Sequence, residues 1–185
     1  TTGNSELNGM VDHVIPERRA TSGPLRILSA GCSSGEEPYS LAIALHNAGL
    51  PPAGKVPWEI DACDLNPERI ARARDALYDE SSLRVCDFES RRKYFTVEDG
   101  RFRLKERYRA GLRFFQSNLL GPGFAFERGR YDAILCRNLL IYFGDSAFES
   151  LIDLFARSLA PGGYLFLGHS ESLFDRVTEF TTVGV

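Results

Sequence analysis

Apolar residues fall into two kinds of run along this chain. Short, nearly continuous ones begin at Leu25, Trp58, Leu112, Tyr131 and Tyr164. Between them lie stretches where apolar positions recur every three or four residues. The first kind marks strands buried on both faces of a parallel sheet, the second marks amphipathic helices. Leu25, Ile27 and Leu28 predict an opening strand. Gly31-Cys-Ser-Ser-Gly35 is a small-residue turn, and Glu36, Glu37 and Pro38 open a helix continued by Tyr39, Leu41, Ala42, Ala44 and Leu45. Acids and proline suit a first helical turn. A second strand, Trp58 to Leu65, carries Asp64 at its end. Asn66 and Pro67 then start a helix through Ile70, Ala71, Ala73 and Leu77. Later strands are expected over Leu112–Leu120, over Tyr131 running into a loop that reaches Phe143, and over Tyr164–His169. An amphipathic helix from Asp145 to Leu159 is stopped by Pro161-Gly162-Gly163. Five strands alternating with helices predict an α/β fold with a Rossmann-like, doubly wound sheet.

The rhythm breaks between residues 78 and 111. Ser81 to Lys93 reads as a short polar helix. Tyr94–Val97 and Arg101–Lys105 read as two strands joined at Glu98-Asp-Gly100, a good hairpin turn. This predicts a small antiparallel β-subdomain at about 88–111. Its basic residues form the main positive cluster, for which a solvated face is the default reading. Residues 1–24 carry a weak helical pattern through Met10, Val11, Val14 and Ile15 and then a polar linker. The expected division is thus an N-terminal helical linker segment, 1–24, and one domain, 25–185. A further strand is expected from Phe180 to Val185.

Composition narrows the function. With 185 residues, 43% of them hydrophobic, the chain suffices for one core. A net charge of -3 offers no electrostatic footprint for nucleic acid, and no apolar run is long enough for membrane insertion. Cys32, Cys63, Cys86 and Cys136 are scattered without a CxxC pair, so no metal site is expected and a reduced, cytoplasmic setting is the simpler reading.

In a doubly wound sheet, ligands lie beyond the carboxyl ends of the strands. Those ends present Gly31 to Glu37, Asp64, Asn118 with Leu119, Cys136-Arg137-Asn138 with Tyr142 beyond, and His169. The glycine turn would let a ligand approach the backbone. Two carboxylates and no lysine at the helix start would repel a pyrophosphate and suit an amino group or a sulfonium. An acid ending the second strand is placed to bind ribose hydroxyls.

These motifs resemble one family. Gly35-Glu-Glu-Pro-Tyr-Ser40, Asp64, Asn118-Leu-Leu120, Cys136-Arg-Asn-Leu-Leu-Ile-Tyr-Phe143 and Gly168-His-Ser-Glu171 together resemble the catalytic domain of the CheR-type chemotaxis protein methyltransferases. The resemblance implies a class I methyltransferase sheet and S-adenosylmethionine as cofactor, with S-adenosylhomocysteine as product. It implies that Glu37 takes the methionine amino group, Asp64 the ribose, and Asn118 with Leu119 the adenine side. Ser5, Gly31, Cys136, Arg137 and Asn138 would complete the cofactor site. The implied activity is methylation of glutamate side chains on chemoreceptor helices, with the β-subdomain touching the receptor and Tyr142 holding the acceptor carboxylate. A monomer is expected. One departure bears on catalysis. The family's aromatic-aromatic-arginine segment should follow Ser5, yet Glu6-Leu-Asn-Gly-Met10 stands there. An omitted stretch at that junction is the preferred account, and a cofactor-binding but catalytically impaired scaffold is the alternative function.

Overall fold

A computed structural model describes residues 14, 23–50, 52, 57–84, 86–122, 124–168 and 180–181. Its larger sheet has five parallel strands: β1 (Leu25–Ala30), β2 (Trp58–Asp64), β6 (Leu112–Gln116), β7 (Tyr131–Cys136) and β8 (Leu159–Leu167), in the order β6-β2-β1-β7-β8. The smaller, antiparallel sheet orders β3 (Leu77–Tyr78), β5 (Arg101–Leu104) and β4 (Phe95–Glu98) side by side. The helices are α1 (Glu36–Asn47), α2 (Pro67–Asp75), α3 (Phe88–Tyr94) and α4 (Asp145–Ser158).

Successive strand residues point to opposite faces, and both faces are covered. On one, Leu41, Ala42 and Leu45 of α1 pack against Leu25, Ile27, Trp58, Ile60, Ala133 and Leu135. On the other, Phe148, Leu151, Ile152 and Phe155 of α4 pack against Leu28, Cys63, Ile134 and Cys136. The chain runs from β1 to β2 and β6 on one side, then crosses to β7 and β8 on the other. That reversal opens a crevice at the carboxyl end of β1, where this sheet class binds ligands.

Helix α2 starts as its sequence predicts, with Asn66 Oδ1 accepting from the backbone N–H groups of Glu68 (2.8 Å) and Arg69 (3.3 Å). Its end differs from the periodic pattern. Ala76 adopts a left-handed φ of 53°, which turns Leu77 out of the helix and into β3, opposite Arg103. The small sheet therefore draws in a strand outside the 88–111 span. The expected helix over Ser81–Lys93 is divided into a 3-10 turn, Glu80–Leu83, and α3, whose first turn is capped by Asp87 accepting from Ser90 N–H at 2.7 Å.

Strict alternation of strands and helices fails between β6 and β7. The described residues there form turns rather than a helix, because Gly121, Pro122 and Gly129 punctuate the segment while Phe124 and Phe126 pack back onto the sheet. The strand expected to reach Leu120 stops at Gln116: Ser117 N–H still donates to Asp64 O (2.9 Å), and the chain then turns, with Asn118 O accepting from Gly121 N–H at 2.9 Å. Of the expected N-terminal helical segment, only Val14, Gly23 and Pro24 are among the described residues. Val14 is buried in the α1-side core. The strand expected from Phe180 to Val185 lies outside them apart from Phe180 and Thr181.

Candidate functional site

The turn after β1 is pinned to the next strand. Gly31 N–H and Cys32 N–H both donate to Cys63 O at 2.9 Å. Gly31, Ser33 and Gly35 have φ values of 76°, 50° and 91°, so the turn follows a left-handed path that glycine takes without steric cost. At Gly35 space adds a second demand. A Cβ there would lie 3.0 Å from Ala73 Cβ and 3.1 Å from Tyr39 Cε2, so α1 can approach α2 this closely only without one. Tyr78 Oη braces the turn by donating to Ser34 O, and Tyr39 Oη ties α1 to α2 by donating to Ala73 O, each at 2.8 Å. Burial pushes the Tyr39 hydroxyl up to about 12, so it serves as a donor rather than a proton acceptor at neutral pH.

The two acids differ in orientation. Glu36 accepts from Ser34 Oγ at 2.9 Å on the exposed side of the turn. Glu37 turns inward: its side chain is 18% exposed, its Oε1 accepts from the Ser29 hydroxyl at 2.7 Å, and its Oε2 lies 4.0 Å from Arg137 Nε. Both benefit from the amino end of α1. Asp64 uses each carboxylate oxygen on a backbone donor, Oδ2 on Ser33 N–H (2.8 Å) and Oδ1 on Asn66 N–H (2.9 Å). One residue thus fixes both the glycine turn and the entry to α2. A carboxylate oxygen has a second lone pair, so these bonds leave room for ribose hydroxyls.

Across the crevice, Cys136 is fully buried, Arg137 leans toward Glu37, and Asn138 has a left-handed φ of 56°. Of the four described non-glycine residues with positive φ, Ser33 and Asn138 flank this crevice. Such conformations cost about 1–2 kcal/mol each and cluster at ligand sites. Asn118 folds its loop by accepting from Leu120 N–H at 3.1 Å, and Leu119 packs partly buried against the α4-side core. Tyr142, in the 3-10 turn Leu140–Tyr142, is 77% exposed. Leu65 (62%) and Ile141 (50%) make the same rim apolar. Tyr142 is therefore no core aromatic. The structure gathers Gly31, Glu37, Asp64, Cys136, Arg137 and Asn138 around one crevice, with Asn118, Leu119 and Tyr142 at the neighbouring strand ends. Ser5 and His169 lie outside the described residues.

Burial raises the Cys32 thiol strongly and the Cys63 thiol to about 12, which removes both as nucleophiles near neutral pH. Among the described residues, no cluster of His, Cys, Asp and Glu could hold a metal ion, and no helix is long and apolar enough to cross a membrane.

A left-handed backbone cradle, one inward carboxylate and a second at the end of β2 suit a nucleoside bearing a cationic amino group. A family model described as "CheR methyltransferase, SAM binding domain" matches residues 3–185. The chain belongs to this family. S-adenosylmethionine is accordingly its cofactor, and the acids at the crevice fit the ammonium and ribose of that molecule. The chain is 40% identical over 152 residues to a probable biofilm formation methyltransferase, WspC, of Pseudomonas putida, covering 82% of this chain and 35% of the relative. It is 37% identical over 172 residues to chemotaxis protein methyltransferase 2 of Vibrio cholerae, covering 91% of this chain and 59% of that one. The chain therefore spans between about a third and three-fifths of these relatives' length. Among solved structures, the DszA carbon methyltransferase superposes with a TM-score of 0.59 at 15% identity, over 89% of this chain and 34% of that one, which shows a shared fold.

Sequence reasoning did not find Ser29, an unremarkable small residue in an apolar strand. Nor did it find Asp61, whose side chain is only 6% exposed. Asp61 Oδ1 and Oδ2 accept from Arg113 at 2.9 and 2.8 Å, and Oδ2 accepts from Arg130 at 3.1 Å and from Tyr131 Oη at 2.8 Å. A lone acid inside Ile60-Asp-Ala-Cys63 was the available signal, because buried carboxylates need partners.

Proposed function

We propose that this chain transfers the methyl group of S-adenosylmethionine to glutamate side-chain carboxylates on the helices of chemoreceptors. The observation that carries the reading is the inward Glu37 at a glycine turn, a carboxylate where phosphate-binding folds keep the helix start open to an anion. Relatives named for chemotaxis support the substrate class, and the likeness to a probable biofilm formation methyltransferase supports methyl transfer in a related setting. Glu37 holds the amino group of the cofactor and Asp64 its ribose hydroxyls. Asn118 and Leu119 lie along its adenine, and Gly31, Cys136, Arg137 and Asn138 line it.

When bound, the cofactor supplies an electrophilic methyl on a positively charged sulfur. The acceptor glutamate is already ionised near neutral pH, so the chain needs no general base. The acceptor oxygen would take that methyl with the C–S electron pair staying on sulfur, so that charge and electrons balance. The protein's work is alignment of oxygen, methyl and sulfur. Tyr142 positions the acceptor carboxylate through its hydroxyl, which its exposure on the rim permits.

The basic β-subdomain is the proposed receptor-facing element. Several of its cations are engaged within the chain: Arg91 with Glu80, Arg103 with Glu98 and Asp75, and Lys105 with the carbonyls of Arg92 and Lys93. Receptor contact would then use shape and apolar side chains such as the exposed Phe88 and Val97 alongside charge. The test is Tyr142→Phe, assayed with labelled cofactor and a receptor cytoplasmic fragment. Turnover should fall at least about tenfold, the value of a hydrogen bond to a charged group, while cofactor affinity stays within about twofold. Unchanged turnover would remove Tyr142 from this role. The Glu6-Leu-Asn-Gly-Met10 segment, which lacks the family's arginine, favours a second reading. In it the chain binds cofactor and acts as a scaffold without transfer.

A further inference from the structure

We infer that Ser29 is a positioning residue for cofactor recognition, acting through Glu37; the inference rests on the reading of Glu37 as the anchor of the cofactor's amino group. Ser29 is fully buried in β1, the central strand of the sheet. Its partners across the two neighbouring strands are Ala62 and Leu135, so its backbone lies within the parallel ladders on both sides. Leu25 and Ile27, which share its face, are apolar, and a hydroxyl there carries a desolvation cost unless it is hydrogen-bonded. Its hydroxyl donates to Glu37 Oε1 at 2.7 Å, a short bond to a charged acceptor.

Glutamate has three rotatable side-chain bonds, and from the first turn of α1 it could extend into water as its neighbour Glu36 does. The Ser29 hydroxyl holds Glu37 back over the end of β1 instead, with Oε2 directed to the side where Arg137 stands. The carboxylate is thereby oriented before any ligand arrives, and a cationic amino group meets it without the cost of ordering a mobile side chain. Ser29 touches no ligand in this account. Its effect is felt only by ligands that carry the amino group.

That restriction supplies the test. Affinities for S-adenosylhomocysteine, which carries the amino acid moiety, and for 5′-methylthioadenosine, which lacks it, are measured by calorimetry on the wild-type chain, Ser29→Ala, Glu37→Gln and the double variant. Ser29→Ala should weaken S-adenosylhomocysteine about tenfold and leave 5′-methylthioadenosine within about twofold. In the double variant the loss should not exceed that of Glu37→Gln alone, because both changes act on one contact. Ser29→Thr, which retains the hydroxyl, should recover most of the affinity for S-adenosylhomocysteine relative to Ser29→Ala. Equal losses for both ligands, or losses that add in the double variant, would make Ser29 a packing residue and overturn the inference. If Glu37→Gln itself fails to separate the two ligands, the amino-group reading of Glu37 falls. If Glu37→Gln separates them and Ser29→Ala does not, only the role of Ser29 falls.

Discussion

Replacing Asp61 by asparagine tests what ties β2 to the amino ends of β6 and β7. The side chain keeps its shape and loses its charge, while one of its oxygens becomes an NH2 group facing the donors of Arg113, Arg130 and Tyr131. Breaking a buried ion pair from one side costs about 3–5 kcal/mol. Here water screens part of that, because the Arg113 side chain is 65% exposed and that of Arg130 25% exposed, against 6% for Asp61. The lower end, about 3 kcal/mol, is the expected loss, most of it from Arg130 and the buried Tyr131 hydroxyl. For a chain of this size that corresponds to a fall in Tm of about 6–12 °C. Urea unfolding followed by tryptophan fluorescence reads it, since Trp58, the one tryptophan, is buried at the start of the same strand. Tyr131→Phe alone should cost about 1 kcal/mol, and the two changes together less than their sum. A loss below about 1 kcal/mol for Asp61→Asn, or strict additivity with Tyr131→Phe, would refute a cooperative network.

Two further outcomes follow from the same geometry. Gly35→Ala combines a φ of 91° with contacts of 3.0 Å to Ala73 and 3.1 Å to Tyr39, so it should destabilise the turn by about 1–3 kcal/mol and weaken cofactor binding in calorimetry. His46 sits edge-on to the rings of Trp58 and Tyr108, and burial, with the nearby Arg107 charge, holds its imidazole below the ordinary 6.5. The unfolded chain then takes up a proton near 6.5 before the folded one does. Stability is fully present above pH 6.5 and declines as pH falls from there toward the folded-state value. His46→Phe should flatten that decline in unfolding measurements made across this window.

Much of the fold was legible because its signals are local. The uninterrupted apolar runs at β1 and β7 mark doubly covered strands, Asn66-Pro67 marks a helix start, and Glu98-Asp-Gly100 marks the hairpin between β4 and β5. The unread features depend on tertiary context. Nothing local distinguishes Leu77 as the start of a strand from Leu77 as the next helical position; the left-handed Ala76 and the docking of Arg103 decide it. The described residues of the β6–β7 connection form no helix because its phenylalanines pack individually onto the sheet. The site shows the same division. Glu37, Asp64 and Arg137 stood out as charges at strand ends, whereas Ser29 gains its significance only through a residue eight positions away that folds back over it. Asp64 proved to have a structural duty as well, holding Ser33 and Asn66 in place.

The central claim is methyl transfer to a carboxylate, and the bond it makes is the most direct thing to measure. The chain is incubated with S-adenosylmethionine labelled in the methyl group and a receptor cytoplasmic fragment, and the recovered fragment is treated with mild base. A glutamyl methyl ester is cleaved by hydroxide, so the account predicts that label enters the fragment and leaves it as volatile methanol. Label that survives base would place the methyl on nitrogen, sulfur or carbon rather than in an ester and contradict the account. Cofactor binding with no label in the fragment would contradict it equally, leaving a binding module in place of an enzyme.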